Sequence, residues 1–334
     1  MTAKVKIGVV GAGAFGRRYI ETLRCNPSVD LAYICDRDSD LCHATARKYG
    51  IAGASTDYRG VCSDPSLDAV VVVTPESAHR EVAVAALEGG KHVIVEKPLA
   101  TNEEDAVAMA DAARRAKKLL MPAFLLRFDY RYGRLHEQIG RIGQIHNIYA
   151  YRNFDRNLFD LYSRTHSFVE NAIHDIDLVL WYVQSPVKRV HAFCRNNLGK
   201  SNPDVNWGVL EFANGTIAVI QSSWLYPPQK HESLQWNAGM QVMGERGVLE
   251  VSSDQGGFRA NTDNDGILLL DQTGWSEING EPRGAFGAML RHYIACIRNE
   301  AQYCGATAEE AIESMRIANR LIESSRTTER GNEV

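Results

Sequence analysis

Residues 4–16 read KVKIGVVGAGAFG, and this stretch decides the fold. Lys4 to Val10 is a short apolar run of the kind that forms a buried strand. Three glycines follow at the GxGxxG spacing, in Gly11-Ala12-Gly13-Ala14-Phe15-Gly16, and Ala14 to Arg24 continues with a helical pattern. A strand that turns through such a loop into a helix offers phosphate oxygens a row of N–H groups and the positive end of the peptide dipole. Each glycine has a task. The first permits the tight turn, the second lets the backbone approach a pyrophosphate, and the third lets helix and strand pack closely. Asp36 stands twenty residues beyond Gly16, at the end of the next expected strand, where a carboxylate meets ribose hydroxyls. Asp36 favours NAD by repelling a 2′-phosphate, whereas Arg37 keeps NADP open because a guanidinium accepts phosphate or stacks on adenine.

Outward from this motif the pattern repeats. Leu31 to Cys35, Ala69 to Val73, His92 to Val95 and Leu119 to Leu126 are expected strands. Ser39 to Tyr49 and Glu76 to Leu87 are expected helices, and Thr101 with Glu104 has the spacing of a capping box opening another. This β-α-β-α alternation, with a nearly all-valine central strand, predicts an α/β fold whose first domain is a doubly wound parallel sheet. We set that domain at residues 1–122. From 123 to 334 the rhythm changes. Tyr132 to Ile139 is expected to be helical, Ile145 to Tyr151 a strand, and Phe168 to Val183 one strong helix. Runs at Val187 to Cys194, Trp207 to Phe212, Thr216 to Trp224, Met240 to Met243 and Val248 to Val251 then follow, with Asn214-Gly215 as a two-residue hairpin turn. The expectation is an α+β domain on a large, mostly antiparallel open sheet. Thr307 and Glu310 form a second capping-box pair, opening a helix to about Ser325 that is expected to pack back on the first domain.

The bulk numbers bound the function. A chain of 334 residues, 45% apolar and 23% charged, is the size and balance of a two-domain globular protein. A net charge of −4 argues against nucleic acid or an anionic membrane as partner. Seven dispersed cysteines without a CxxC pair suit a reducing compartment. No apolar run approaches the roughly 18 residues a bilayer span needs, and a cytoplasmic protein is expected. The histidines show no HExxH pattern, so no metal is expected.

Two more segments end expected strands, where open α/β sheets bind ligands. One is Thr74-Pro75, with His79 four residues on; the other is Glu96-Lys97-Pro98, whose proline holds Lys97 in extended backbone at the strand tip. In the second domain Glu170, His174 and Asp177 fall at i, i+4 and i+7, so that one helix face would present all three. A carboxylate beside a histidine orients the ring and raises its basicity, as general acid–base chemistry requires. Asp175 lies off that face and is expected to be structural. Arg127, Arg152, Asn153, Arg164, His166, His231 and Trp236, with an expected loop over Phe154 to Tyr162, supply a polar and aromatic mixture suited to a polyhydroxylated ligand.

GAGAFG, TPESAH, EKP and AIHDID, in this order over nearly the whole chain, resemble the glucose-fructose oxidoreductase, inositol dehydrogenase and MocA family. The resemblance implies a Rossmann domain followed by an α/β domain whose open sheet makes oligomer contacts, here a homodimer or homotetramer. It implies an NAD(P)-dependent enzyme moving a hydride between nicotinamide and a hydroxyl carbon of a sugar or inositol bound between the domains. It also implies Lys97 at the reacting hydroxyl and nicotinamide, His174 as general acid/base, and Arg127 and Asp177 as contacts to substrate hydroxyls. Family enzymes commonly carry an aspartate four residues before the histidine; Glu170, one methylene longer, stands there. Two other readings are an NAD-dependent redox-cycling glycoside hydrolase and a non-catalytic sugar or nucleotide sensor, the latter disfavoured by the presence of both Lys97 and His174.

Overall fold

The valine-rich segments pair side by side. In a computed structural model, which describes residues 3–227, 236–253, 259–262, 266–269, 277–278 and 281–331, dense packing divides the chain into two units. One comprises Met1–Leu125 with Glu277–Ile312, the other Leu126–Ser276 with Glu313–Val334.

The first unit holds strands β1 (Val5–Val10), β2 (Val29–Cys35), β3 (Gly53–Ser55), β4 (Ala69–Val72), β5 (His92–Val95) and β6 (Leu120–Pro122). All pair in parallel, in the order β3-β2-β1-β4-β5-β6. Direction of winding reverses between β1 and β4, the switch point beside which such sheets bind ligands. Ala69 to Val72 are fully buried, as a parallel strand covered on both faces requires. Helices α1 (Ala14–Arg24), α2 (Ser39–Tyr49), α3 (Tyr58–Ser63), α4 (His79–Glu88) and α5 (Glu103–Ala116) make the crossovers. Their ends follow local chemistry. The Asp38 side chain accepts the Leu41 N–H at the start of α2, and Gly50, at φ 67°, closes it.

The second unit holds α6 (Tyr130–Ile142), β7 (Ile145–Asp155), α7 (Phe159–Tyr162), α8 (Ser167–Glu170) and α9 (Ile173–Val183). Strands β8 (Val187–Arg195), β9 (Val205–Phe212), β10 (Ile217–Tyr226), β11 (Trp236–Gly244) and β12 (Gly247–Ser252) follow. They form a six-stranded sheet, β12-β11-β7-β10-β9-β8, antiparallel except where β10 runs parallel to β7. Ile148, Ala150, Leu210, Ala218, Ile220 and Val242 make one face of it core. Helix α10 (Ala285–Ile297) belongs to the first unit, and α11 (Ala308–Gly331) begins among that unit's residues. From Glu313 onward α11 is grouped with the second unit. There Ser324 Oγ accepts the Ala192 N–H at 3.2 Å, and a side chain on Gly208 would meet Leu321 at 3.0 Å.

Several local expectations need correction. The first capping residue of α5 is Asn102, whose Oδ1 accepts the Asp105 N–H at 2.9 Å, one residue later than Thr101. Strand β6 stops at Pro122, because the Phe124 and Leu125 N–H groups turn back onto the carbonyls of Pro122 and Ala123. The Asn214-Gly215 hairpin has three loop residues, closed by the Phe212 N–H on the Thr216 carbonyl, with Gly215 at φ 90°. Phe154 to Tyr162 is ordered as a strand end, a 3-10 turn and α7, anchored by Phe154, Phe159 and Tyr162 stacking around Trp224. Most consequentially, Phe168 to Val183 is two helices. The Ala172 N–H reaches back five residues to the Ser167 carbonyl. Asn171, buried at the break, donates to Ser222 Oγ at 2.9 Å.

Candidate functional site

In the first unit the candidate residues lie at the carboxyl ends of β1, β2, β4 and β5. Gly11 has φ 114°, and a Cβ there would sit 2.4 Å from the Val73 carbonyl oxygen. A Cβ on Gly16 would sit 1.9 Å from the Gly11 carbonyl oxygen. These two positions admit only glycine because backbone crosses backbone. Gly13 differs: a Cβ there meets nothing within 4 Å, and the residue, like Ala14, is exposed. Its glycine keeps space open on the solvent side, above the start of α1, where no side chain caps the helix. Ala12 is buried, Phe15 partly so. Asp36 Oδ2 accepts the Ala12 N–H at 2.7 Å and Oδ1 accepts the Asp38 N–H at 3.0 Å, which fixes the carboxylate beside the loop. Arg37 is exposed next to it. Thr74 Oγ1, at the end of β4, is buried with no protein partner, and the exposed Pro75 turns the chain into the next helical segment. Open space above Gly13, an uncapped helix start and an orphaned hydroxyl fit a dinucleotide.

Glu96 and His79, expected as cofactor contacts, also bond within the protein. Glu96 Oε1 accepts the Tyr19 hydroxyl at 2.8 Å and Oε2 accepts the Lys97 N–H at 3.0 Å. The Tyr19 hydroxyl is pushed well above the usual tyrosine pKa by burial, and then by the Glu96 carboxylate. His79 is buried, with Nδ1 3.0 Å from the Pro98 carbonyl oxygen and Nε2 3.0 Å from that of Thr74. Both ring nitrogens thus face backbone carbonyls. Lys97 sits half-buried at the strand tip, and the peptide bond to Pro98 is cis.

In the second unit the break before α9 changes the expected face. Glu170 ends α8 and His174 lies in the first turn of α9, so the i, i+4 relation of a continuous helix does not join them. Glu170 is buried and His174 half-buried. Asp177 is buried in a bidentate pair with Arg127, Nε to Oδ2 at 3.0 Å and Nη2 to Oδ1 at 2.8 Å. The Arg127 guanidinium also lies 5.1 Å from the Trp181 ring, which stacks on His136 at 3.8 Å. Burial, then the Arg127 charge, lowers the His136 pKa. Asp175 points into the core and holds Arg152 in a second bidentate pair, at 2.8 and 2.7 Å. Burial pulls the Arg152 pKa down, but the Asp175 carboxylate outweighs it and keeps the guanidinium charged. Of the other expected pocket residues, His166 turns inward, its Nδ1 accepting the Phe168 N–H at 3.2 Å. Asn153 Oδ1 accepts from Gln221 at 2.7 Å, and Arg164 donates to the Leu161 carbonyl at 3.0 Å. His231 and the Trp236 side chain lie outside the described residues.

Sequence reasoning missed Tyr19, Asn171 and Trp181. Tyr19 falls three residues after Gly16 on the buried face of α1, a legible signal; Asn171 and Trp181 carry no motif. Among the described residues no group of three or more His, Cys, Asp or Glu side chains is placed to hold a metal ion. No described helix is long and apolar enough to cross a membrane.

Comparison with known proteins agrees with this geometry. Residues 5–124 match the GFO/IDH/MocA model described as an oxidoreductase family with an NAD-binding Rossmann fold, and residues 136–250 match that family's C-terminal domain. The chain is 28% identical over 280 residues to myo-inositol 2-dehydrogenase of Thermotoga maritima, covering 81% of this chain and 79% of that one. It is 25% identical over 315 residues to the NAD(+)-dependent scyllo-inositol 2-dehydrogenase of Bacillus subtilis, covering 90% and 88%. The crystal structure of scyllo-inositol dehydrogenase from Lactobacillus casei, with bound NAD(H) and scyllo-inositol, superposes with a TM-score of 0.82 at 20% identity, covering 97% and 98%.

Proposed function

The chain belongs to the GFO/IDH/MocA oxidoreductase family, with an NAD-binding Rossmann unit, and from that premise we propose that it oxidises a ring hydroxyl of an inositol, or the like hydroxyl of a sugar. The observation that carries the reading is the loop at the end of β1. Two of its glycines are required by backbone crossings, the third guards open space, and Asp36 is tied to it. Asp36 accepts from the adenosine ribose and disfavours a 2′-phosphate, which makes NAD the cofactor. Thr74, through its buried hydroxyl, and the Gly13–Gly16 backbone complete the cradle. Bound NAD supplies the acceptor for the hydride that leaves the carbinol carbon.

Lys97 donates a hydrogen bond to the reacting oxygen and stabilises its developing negative charge. His174, as a neutral imidazole, takes the hydroxyl proton, and Glu170 steadies the ring. Arg127 and Asp177 act on substrate hydroxyls as one rigid unit, since each fixes the other. Family resemblance supports these roles, and the position of Lys97 at a strand tip and of His174 in a first helical turn is consistent with them.

The partner is a second copy of the chain. Tyr149, Phe193, Trp207, Ile217, Met243 and Val248 are 39% to 52% exposed and all project from the face of the second sheet opposite its core. Large exposed apolar side chains gathered on one sheet face mark an interaction surface, and we assign this face to the contacts of a homodimer or homotetramer. The free cysteines suit a reducing compartment, the cytoplasm.

The test is absorbance of reduced nicotinamide with NAD or NADP offered beside inositols, aldoses and sugar acids. NAD reduction with a polyol supports the reading. Absence of turnover across the panel, with NAD retained through purification, would instead point to redox cycling.

A further inference from the structure

Two loops bear the residues assigned to chemistry in the first unit: the one after β4, with Thr74, and the one after β5, with Glu96 and Lys97. Neither is held only by its strand. On one side of Lys97, its own N–H donates to Glu96 Oε2, and Glu96 is braced by the Tyr19 hydroxyl on α1. On the other side stands His79, the first residue of α4. Its Nδ1 lies 3.0 Å from the Pro98 carbonyl oxygen and 3.3 Å from that of Leu99, while Nε2 lies 3.0 Å from that of Thr74. The ring is 1% exposed. The imidazole thus stands between both loops, and two of the three carbonyls around it belong to the residues directly after Lys97.

We propose that His79 is a positioning residue: from the first turn of α4 its Nδ1–H holds the Pro98-Leu99 backbone and so fixes Lys97 against the reacting oxygen. This rests on the reading of Lys97 as the hydrogen-bond donor to substrate. A neutral imidazole carries one N–H and bonds as a donor through one nitrogen only. Two carbonyls converge on Nδ1 and one on Nε2, so the proton belongs on Nδ1 and the dominant hold is on Pro98 and Leu99. Burial lowers the ring's pKa, with the facing carbonyls opposing that only in part, consistent with a neutral ring. Catalytic groups must be held to within a fraction of an ångström, and a shift of roughly 1 Å costs on the order of 100-fold in rate. The Pro98-Leu99 anchor lies one peptide from Lys97, close enough to pass such a shift on.

The tautomer gives the proposal a sharp form. An asparagine amide nitrogen falls near the position of imidazole Nδ1, and a glutamine amide nitrogen near that of Nε2. His79→Asn keeps a donor for Pro98 and Leu99; His79→Gln keeps one only for Thr74. The experiment measures kcat and KM for NAD on the full chain with myo-inositol or scyllo-inositol, whichever turns over faster. It compares wild type, His79→Ala, His79→Asn, His79→Gln, Lys97→Ala and the His79→Ala/Lys97→Ala double variant. Thermal unfolding and fluorescence titration with reduced NAD run beside the kinetics. The expected result is a kcat loss on the order of 100-fold for His79→Ala and roughly 1,000-fold for Lys97→Ala. Affinity for reduced NAD should change by less than about threefold in both, which separates lost rate from lost binding. The double variant should be no slower than Lys97→Ala, because a clamp has nothing to position once the lysine is gone. His79→Asn should recover more of kcat than His79→Gln at similar thermal stability. Multiplying losses in the double variant, or equal rescue by Asn and Gln, overturns the clamp and leaves the Lys97 reading standing. A Lys97→Ala variant with near wild-type kcat, or a wild type that oxidises no inositol, aldose or sugar acid, removes the reading itself and the clamp with it; a wild type that oxidises only a sugar carries the same series on that sugar.

Discussion

The loop after β1 in the first unit and the junction between α8 and α9 in the second each carry candidate site residues, but they are built in different ways. At the loop, a short glycine spacing meets the ends of the neighbouring strands. Gly11 and Gly16 permit backbone crossings that no other residue allows, and Asp36 reaches one N–H of the same turn. At the junction, geometry is set from afar. Asn171 is anchored to Ser222 on β10, Asp175 to Arg152 on β7 and Asp177 to Arg127, and the helix breaks to serve all three. The first arrangement is announced by local glycine spacing although Val73 and Asp36 complete it; the second carries no local signal.

This contrast can be broken by mutation. The largest expected effect is at the junction. Arg152→Ala strands the buried Asp175 carboxylate and should cost about 3–5 kcal/mol of stability, read by urea unfolding. Loss of under about 1 kcal/mol, the scale of a solvent-exposed pair, would mean that the junction does not depend on that pair. Next is Gly16→Ala, whose Cβ would sit 1.9 Å from the Gly11 carbonyl oxygen; it should cost about 3 kcal/mol through overpacking. Gly13→Ala is the matched control. It should leave the unfolding midpoint unchanged while weakening binding of reduced NAD on the order of 10-fold, since only the ligand needs that space. Similar stability losses at both glycines would contradict the division of labour drawn here.

Legibility follows the same division. The glycine loop, Asp36, the Thr74 and Lys97 strand tips and the parallel sheet could be read because each rests on a short-range rule. Periodicity also found the helical character of 168–183 and the capping pair Thr307 and Glu310. It could not find the break at Asn171, because apolar spacing continues across it while the bonds that cause it come from residues 51 or fewer positions away on other strands. His79 and Glu96 were recognised as belonging to the site, yet their partners are backbone carbonyls and a tyrosine hydroxyl, which no spacing reports. Arg127 and Asp177 were singled out separately, and their pairing across 50 residues is tertiary.

Two further effects sharpen the comparison. Burial, then the Arg326 charge, pushes the His166 pKa down to about 4 from 6.5. A group depressed in the folded state contributes stability that is complete above the unfolded pKa and lost as pH falls through the folded one. Acidification from pH 6.5 to pH 4 should therefore remove roughly 3 kcal/mol. His166→Asn, which keeps an acceptor for the Phe168 N–H, should flatten that acid limb in urea melts. An unaltered limb would place the acid sensitivity elsewhere. Smallest is Thr307→Ala. It breaks a reciprocal cap in which the Thr307 N–H donates to Glu310 Oε2 at 2.8 Å and the Glu310 N–H to Thr307 Oγ1 at 3.1 Å. The cost should be about 1 kcal/mol, with NAD binding untouched.

The central claim, oxidation of a polyol C–H by NAD, is tested most directly by tracing the hydrogen. The protein is incubated with NAD and with inositols and aldoses deuterated at carbon, and the recovered nicotinamide is weighed by mass spectrometry. The account predicts reduced nicotinamide carrying one deuterium from the substrate. Reduced nicotinamide without deuterium, or no reduction at all, would contradict it.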